Sequence, residues 1–391
     1  MITSPQPSRS QRHPVTSGFT LVEILVVIAI IGILAGVLIP AISNALGRAK
    51  TSAQRLEINA LDQAVKAYEA KYGDFPPDGS SQAVLKRHMA KLFPRMADPD
   101  ITFLDRLTDN RTDNTTGTFS AAAMDRSEAL VFFLGGFSKD IQHPLTGPGG
   151  PIVLMTGGTP SDITDYQYNA TRDNAFFDFD TARLTINRAS DTSPLLSSDE
   201  DLLNVADNLH GGNDILPAYR AIDGGDAPIV YFDSRTYGVI ATVSGVNTYN
   251  GYLAPSVGAV RPYKSDQAIQ PPPAGGDYAT EQSAFAAVKF QNPNTFQIIS
   301  PGSDLFFGKL ISIDATNAGA LPVHFTNSGV PAWPNASATT SGGLVFTNAN
   351  VGSKGFQDSQ WPATYVADEN INGNLDNVTN FTESTLGNGL E

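Results

Sequence analysis

From Phe19 to Ile39 the chain runs 21 residues in which only Thr20 and Glu23 are polar. At 1.5 Å rise per residue, a helix of that length matches a hydrocarbon core of about 30 Å. The acid is the constraint, because a carboxylate at membrane depth costs roughly 2.5 to 3.5 kcal/mol on insertion scales unless it is paired or functional. Residues 1–18 carry Arg9, Arg12 and His13 and no acid, and such a positive flank stays in the cytoplasm while the following segment enters the bilayer. The long remainder is therefore expected on the far side. A cleaved secretory signal competes with this reading, but its apolar core is usually only about 7 to 15 residues and ends at a small-x-small site. Ser43-Asn44-Ala45 fits that site weakly, and the apolar run here is longer, with Glu23 at its cytoplasmic end.

The order Gly18-Phe19-Thr20-Leu21-Val22-Glu23, followed by the apolar run, resembles the type III signal of type IV prepilins and type II secretion pseudopilins. The resemblance implies a leader, residues 1–18, removed by prepilin peptidase between Gly18 and Phe19, and N-methylation of the new Phe19 terminus. It implies that Glu23 serves filament assembly by pairing with the terminal amine, on its own or a neighbouring subunit. Pro40 lies where these families often carry a proline, and its missing donor is expected to kink or locally melt the helix.

Beyond Pro40, apolar residues recur at Ile42, Leu46, Ala49, Ala53, Leu56, Ala60, Ala64 and Tyr68, in steps of three and four. The spacing predicts that residues 40–72 continue the helix as an amphipathic segment that buries this stripe on a globular domain. Gly73 supplies a left-handed cap, and Pro76-Pro77 forbids resumption. The stretch Leu61 to Pro76, ending Tyr72-Gly73-Asp74-Phe75-Pro76, is similar to the end of the long helix in major type II secretion pseudopilins.

In the remainder, residues 73–391, helical spacing appears over 83–107 and 119–137, with a stop at Gly135-Gly136. Short β-type runs follow at Ile152–Met155, Ile229–Phe232, Tyr237–Val243, Thr295–Ser300 and Leu305–Ile311. The expected fold is α+β: a long N-terminal helix, transmembrane and then amphipathic, packed on a small antiparallel sheet domain. Polar, Gly/Pro-rich stretches at about 157–226, 244–282 and 309–367 read as insertions, with Gln270-Pro271-Pro272-Pro273 as the clearest linker. The resemblance covers residues 18 to about 78 and patches at 227–233, 296–308 and 368–381.

Charge narrows the partners. Residues 1–72 carry seven Lys/Arg against four Asp/Glu, a local +3, which leaves −17 of the net −14 on the rest. An acidic body disfavours nucleic acid, whose binding draws on Lys and Arg at the phosphates, and suits divalent cations. The chain has no cysteine, so it has neither a disulfide framework nor a thiolate metal site.

Asp368, Asn370, Asn372, Asn374 and Asp376 place oxygen-bearing side chains alternately around Gly373, like the first half of an EF-hand loop wrapping calcium. The twelfth position is Thr379 rather than the bidentate Glu, which departs from a true EF-hand. The pseudopilin resemblance implies a calcium loop near the C-terminus. Phe296 to Asp304 resembles the turn that opens it, with Asp304 as a ligand, and Asp376 to Phe381 resembles the segment that closes it, although Asn377 replaces the second acid. His88, His143, His210 and His324 show no metal-ligand spacing, and Gly302 to Leu310 departs from a phosphate-binding loop.

The resemblance thus implies a non-enzymatic pseudopilin, single-pass in a bacterial inner membrane with its body in the periplasm, moving into a pseudopilus on assembly. Its partners would be prepilin peptidase, further pseudopilin subunits and the secretion inner-membrane platform. The alternatives are a type IV pilus subunit, and a surface binding or enzymatic domain carried on a pilin-type anchor.

Overall fold

The computed structural model describes residues 20–107, 124–161, 165–185, 216–222, 225, 227–238, 242–243, 246–247, 251–254, 257–268, 288–303, 305–307, 324–325, 331–332, 376–383 and 385–386. Two units divide the chain, Met1–Ala49 and Lys50–Glu391.

One helix, α1 (Leu21–Tyr72), runs through both units and through Pro40 without a break in its helical assignment. Local melting at Pro40 is therefore absent. In the first unit the large apolar side chains from Leu21 to Leu46 stand exposed, and the helix is long and apolar enough to cross a membrane. α1 ends as its sequence dictates. Gly73 adopts φ +71°, a conformation open to glycine at no steric cost, and its N–H returns to Glu69 O at 2.6 Å.

Three shorter helices follow, α2 (Gln82–Leu92), α3 (Asp100–Arg106) and α4 (Ala129–Leu134). The 83–107 region thus holds two helices rather than one, because Pro94 and Pro99 interrupt the periodic run. α4 is all core: each residue from Ala129 to Leu134 is buried.

The strands are short and paired antiparallel: β1 (Ile152–Leu154) with β2 (Tyr166–Tyr168), and β3 (Leu184–Thr185) with β4 (Ala218–Tyr219). The central sheet contains β5 (Val230–Asp233). Two-stranded pairs follow: β6 (Thr242–Val243) with β7 (Val246–Asn247), β8 (Tyr252–Ala254) with β9 (Gly258–Val260), and β10 (Lys264–Ala268) with β11 (Val288–Phe290). β12 (Phe296–Ser300) is the middle strand of the central sheet, β13 (His324–Phe325) pairs with β14 (Pro331–Ala332), and β15 (Val378–Thr379) completes the order β15-β12-β5. Its register pairs Ile298 with Tyr231 and Ile299 with Val230 on one side, and Ile299 with Thr379 on the other.

Both faces of this sheet are covered, which is why every residue of β5 and β12 is buried. Successive strand residues alternate faces. Phe296, Ile298, Tyr231 and Val378 share a core with Ile58, Leu61, Val65 and Tyr68 of α1. Ile299, Val230 and Phe232 join a second core with Tyr252, Tyr263 and Phe307. Helix on sheet, mixed α+β, is the arrangement expected from the sequence.

Two sequence expectations are corrected. Among the described residues of the run Tyr237–Val243, Thr242–Val243 are strand, while Tyr237 and Gly238 form a turn that follows the 3₁₀ turn Ser234–Thr236. At Leu305–Ile311, residues 305–307 form no strand, and Leu305 has φ +60°. The described part of the 157–226 stretch is also less peripheral than its composition suggests. Tyr166 and Tyr219 are core residues, Phe176, Phe177 and Phe179 pack against that core, and the Phe176 ring lies 5.2 Å from that of Tyr68.

Candidate functional site

Gly18 and Phe19 lie outside the described residues, so the N-terminal site begins at Thr20. There the side chains make a reciprocal cap. Glu23 N–H donates to Thr20 Oγ1 at 3.2 Å, while Thr20 N and Oγ1 both donate to Glu23 Oε2 at 2.8 Å. This is a capping box, in which the first-turn acid satisfies a backbone donor that the helix cannot. Thr20 was not singled out from sequence, although the Thr-x-x-Glu spacing that makes the box is legible there. Glu23 is thus held by Thr20 at the helix start, four residues on from the Phe19 position where cleavage after Gly18 would create an amine.

In the second unit, the face of α1 toward the sheet differs from the expected stripe. Gln54, Ile58, Leu61, Asp62, Ala64, Val65 and Tyr68 are buried, whereas Leu56 is 71% exposed and Ala60 is exposed. Helical geometry gives the reason: each four-residue step advances about 40° beyond a full turn. The line Leu56, Ala60, Ala64, Tyr68 therefore spirals from the solvent side into the core. Polar side chains on the buried face are matched across the packing. Asn380 Nδ2 donates to Asp62 Oδ1 at 3.1 Å, Arg55 donates to Thr379 O, and Gln54 Nε2 lies 3.5 Å from the carbonyls of Pro301 and Gly302. Glu57 receives both terminal nitrogens of Arg183 and the hydroxyl of Tyr219, which fastens β3 and β4 to α1.

Past Gly73 the chain enters a buried polar network that sequence spacing could not reveal, since its members are scattered from 74 to 236. Arg235 donates to Asp74 Oδ2 at 2.8 Å, to Asp233 Oδ2 at 2.6 Å and to Phe75 O at 2.7 Å. Asp78 Oδ2 accepts from Thr236 Oγ1 at 2.6 Å, Asp233 N at 3.3 Å and Arg126 Nε at 3.3 Å. His88 joins Tyr68 OH at 2.8 Å and lies 3.5 Å from Asp74 Oδ2. Burial pulls the His88 imidazole down to about 4 against the opposing pull of Asp74, so it is neutral at pH 7. Burial, and then the neighbouring Asp78, push the Asp233 carboxyl up to about 7. Among the described residues, no group of three or more His, Asp or Glu is placed to hold a metal ion.

Of the six expected calcium ligands, only Asp376 falls among the described residues; Asp304, Asp368, Asn370, Asn372 and Asn374 lie outside them. Asp376 sits directly over Gly302, where a Cβ would run into its carboxylate, and Ser303 Oγ donates to it at 3.1 Å. Asn377, which stands where the family pattern has an acid, is committed to structure. It accepts from Gly302 N and donates to Tyr263 OH at 2.9 Å and Phe307 O at 3.1 Å. The Gly302 to Ser303 turn and Asp376 therefore meet, with Asn377 as a brace beneath them.

Comparison with known proteins bears on the first of these sites. Residues 15–39 match the family model for the prokaryotic N-terminal methylation motif. The type IV major pilin protein PilE of Neisseria gonorrhoeae is 42% identical over 67 residues, 17% of this chain and 40% of the pilin. A fimbrial protein of Neisseria meningitidis is 40% identical over 67 residues, 17% of this chain and 39% of that protein. The type IV major pilin protein PilA of Myxococcus xanthus is 39% identical over 69 residues, 17% of this chain and 31% of the pilin. The chain thus spans well under half the length of these relatives, and no solved structure matches it. Motif, apolar helix and relatives agree that the N-terminal segment of the chain is type IV prepilin-like.

Proposed function

We propose that the chain is a structural filament subunit, cut by prepilin peptidase after Gly18, methylated at Phe19, held in the inner membrane by α1 with its body in the periplasm, and then packed helix to helix with further copies. The observation that carries this reading is the row of large apolar side chains on α1, left uncovered from Leu21 to Leu46, which begins within the methylation motif at residues 15–39. Outside lipid such a surface is tolerated only when another apolar surface covers it. Glu23, held in the cap by Thr20, is the carboxylate that would pair with the new amine. In the packed filament, breaking that charge pair would leave one buried charge alone, at a cost of roughly 3 to 5 kcal/mol. The expected result is that Glu23→Ala inserts and is processed but fails to enter filaments. Mass spectrometry of the membrane-extracted wild type should find a methylated Phe19 terminus; an intact Met1, or a cut after Ala45, would refute the assignment.

Between the two filament types, we favour a type II secretion pseudopilus, with the secretion inner-membrane platform as partner. Support comes from the Gly73-Asp74-Phe75-Pro76 helix end and from the meeting of Gly302 and Asp376, both features of the pseudopilin resemblance. The pilin relatives match only the N-terminal module, which both filament types share. Calcium belongs to the same proposal. Asp376, with Asp304, Asp368, Asn370, Asn372 and Asn374, supplies the hard oxygen donors the ion takes. The ion would fix the C-terminal segment against the end of β12. A rise in melting temperature with added calcium, abolished in Asp376→Asn, is the expected response; an unchanged melting temperature at saturating calcium removes the site.

A further inference from the structure

We propose that His143 is a pH-operated clasp: its doubly protonated imidazole ties the turn at residues 138–147 to the segment that leads into α3, and loss of one proton releases that tie. The case is one of donors and acceptors. His143 Nδ1 lies 3.2 Å from Asp140 Oδ2, and Nε2 lies 3.2 Å from Asp98 O. A carboxylate oxygen and a backbone carbonyl only accept, whereas a neutral imidazole has one N–H and one lone pair. Either neutral tautomer therefore sets lone pair against lone pair at one of the two contacts. With both nitrogens protonated, both contacts are hydrogen bonds of ordinary length.

Asp140 is held as the carboxylate this arrangement needs. Its Oδ1 accepts from the backbone N–H of Gln142 at 2.9 Å and of His143 at 3.3 Å, and its own N–H donates to Ser138 Oγ at 3.1 Å. The Gln142 N–H first, and then the His143 side chain, hold the Asp140 carboxyl below its usual range. The bond to Asp140 in turn raises the His143 imidazole above its ordinary 6.5 against the pull of desolvation, and Asp98 O and the charge of Asp100 act in the same direction. The groups around the ring come from three places. Its own turn supplies Asp140. The segment before α3 supplies Asp98, whose carboxylate takes Thr102 Oγ1 at 3.2 Å while its carbonyl takes the ring. The start of α3 supplies Asp100, buried and accepting from Leu145 N, Thr146 N and Thr146 Oγ1. Arg95 and Lys139, the cations nearest along the two segments, are exposed, where solvent and salt screen their repulsion.

The Asp100 bonds, and Ala97 N–H donating to Gln142 O at 2.9 Å, join turn and segment without His143. Release of the clasp is therefore a local loosening rather than an unfolding. It frees a surface that meets solvent, since Ile141 on the turn and Ile101 on α3 are 56% and 46% exposed. The sign follows from linkage. A histidine raised in the folded state contributes fully below its unfolded value, and the contribution is lost as pH rises through the folded value. The window for His143 thus opens at 6.5 and extends upward.

The test follows the ring nitrogens of His143 by NMR in the full-length protein in detergent, together with the protection of the Ala97 amide against hydrogen exchange relative to its intrinsic rate. The imidazole should titrate above 6.5, and Asp140→Asn should bring its midpoint back toward that value. Protection of Ala97 should fall several-fold between pH 6 and 8.5 in the wild type and stay level in His143→Gln. A midpoint at or below 6.5, or one that Asp140→Asn leaves in place, removes the charged ring from the clasp. A raised midpoint with Ala97 protection that ignores pH leaves only a surface ion pair and overturns the proposal. Should either variant fail to fold, the two wild-type readings decide.

Discussion

His88 and Asp233 stand in one network and respond to pH in opposite senses. His88 has its folded value lowered by burial from 6.5 to about 4, so the unfolded chain takes up the proton first. Its contribution is complete above pH 6.5 and is lost as pH falls toward 4, a change of about 3 kcal/mol over the window. The advantage of wild type over His88→Asn should shrink accordingly from pH 7 to 4, as read by urea unfolding at each pH. Asp233 gains over much of the range in which His88 loses, so between them the wild type should be held nearly level. At the other end of the chain, Thr20→Val removes the hydroxyl from the cap, a loss of about 1 kcal/mol for an N-terminal cap. Thr20→Ser keeps it. Filament yield should drop in the first variant and recover in the second; equal yields would mean that Glu23 needs no help from Thr20.

At the scale of elements, what could be read from sequence was whatever short-range chemistry decides. The length of the apolar run, the glycine stop at Gly73 and the short β-type runs at β5 and β12 are all local, and the structure has them where the sequence put them. The buried face of α1 was misread because a list of apolar residues at steps of four ignores their 40° precession, and because the core admits Gln54 and Asp62 once partners arrive from residues 301, 302 and 380. Pairings over hundreds of residues leave no periodic signal. Under the proposed filament function, Leu56, at 71% exposure, serves assembly rather than stability. Leu56→Glu should change stability by no more than about 0.5 kcal/mol, as for an ordinary surface site, yet reduce incorporation into filaments. Gly302→Ala has the opposite profile. Its added methyl meets the Asp376 carboxylate, and overpacking of that kind costs about 1 to 3 kcal/mol. Thermal melting separates the two.

For the molecule as a whole, the stretch between the long helix and β5 is the part that composition described least well. Residues 157–226 read as a polar insertion, but aromatic side chains within it are woven into the core, and Arg183 clamps Glu57 on α1. Glycine and proline dominate the average there and mask the few rings that bind. Sheet and helix are likewise assembled from distant pieces, near residues 58, 230, 298 and 378. Contacts of such separation make folding slow, because loops must close before the contacts reward them. The pairing of Asp62 with Asn380, and of Arg55 with Thr379, gives this order of events a meaning. Two polar groups on α1 receive their partners only when β15 and Asn380 just after it, 324 and 318 residues downstream of Arg55 and Asp62, have been made, so the helix cannot close its buried face before then. A polypeptide stopped short of β15 keeps polar groups on α1 without those partners, a chemical difference between a shortened chain and one that carries the strand.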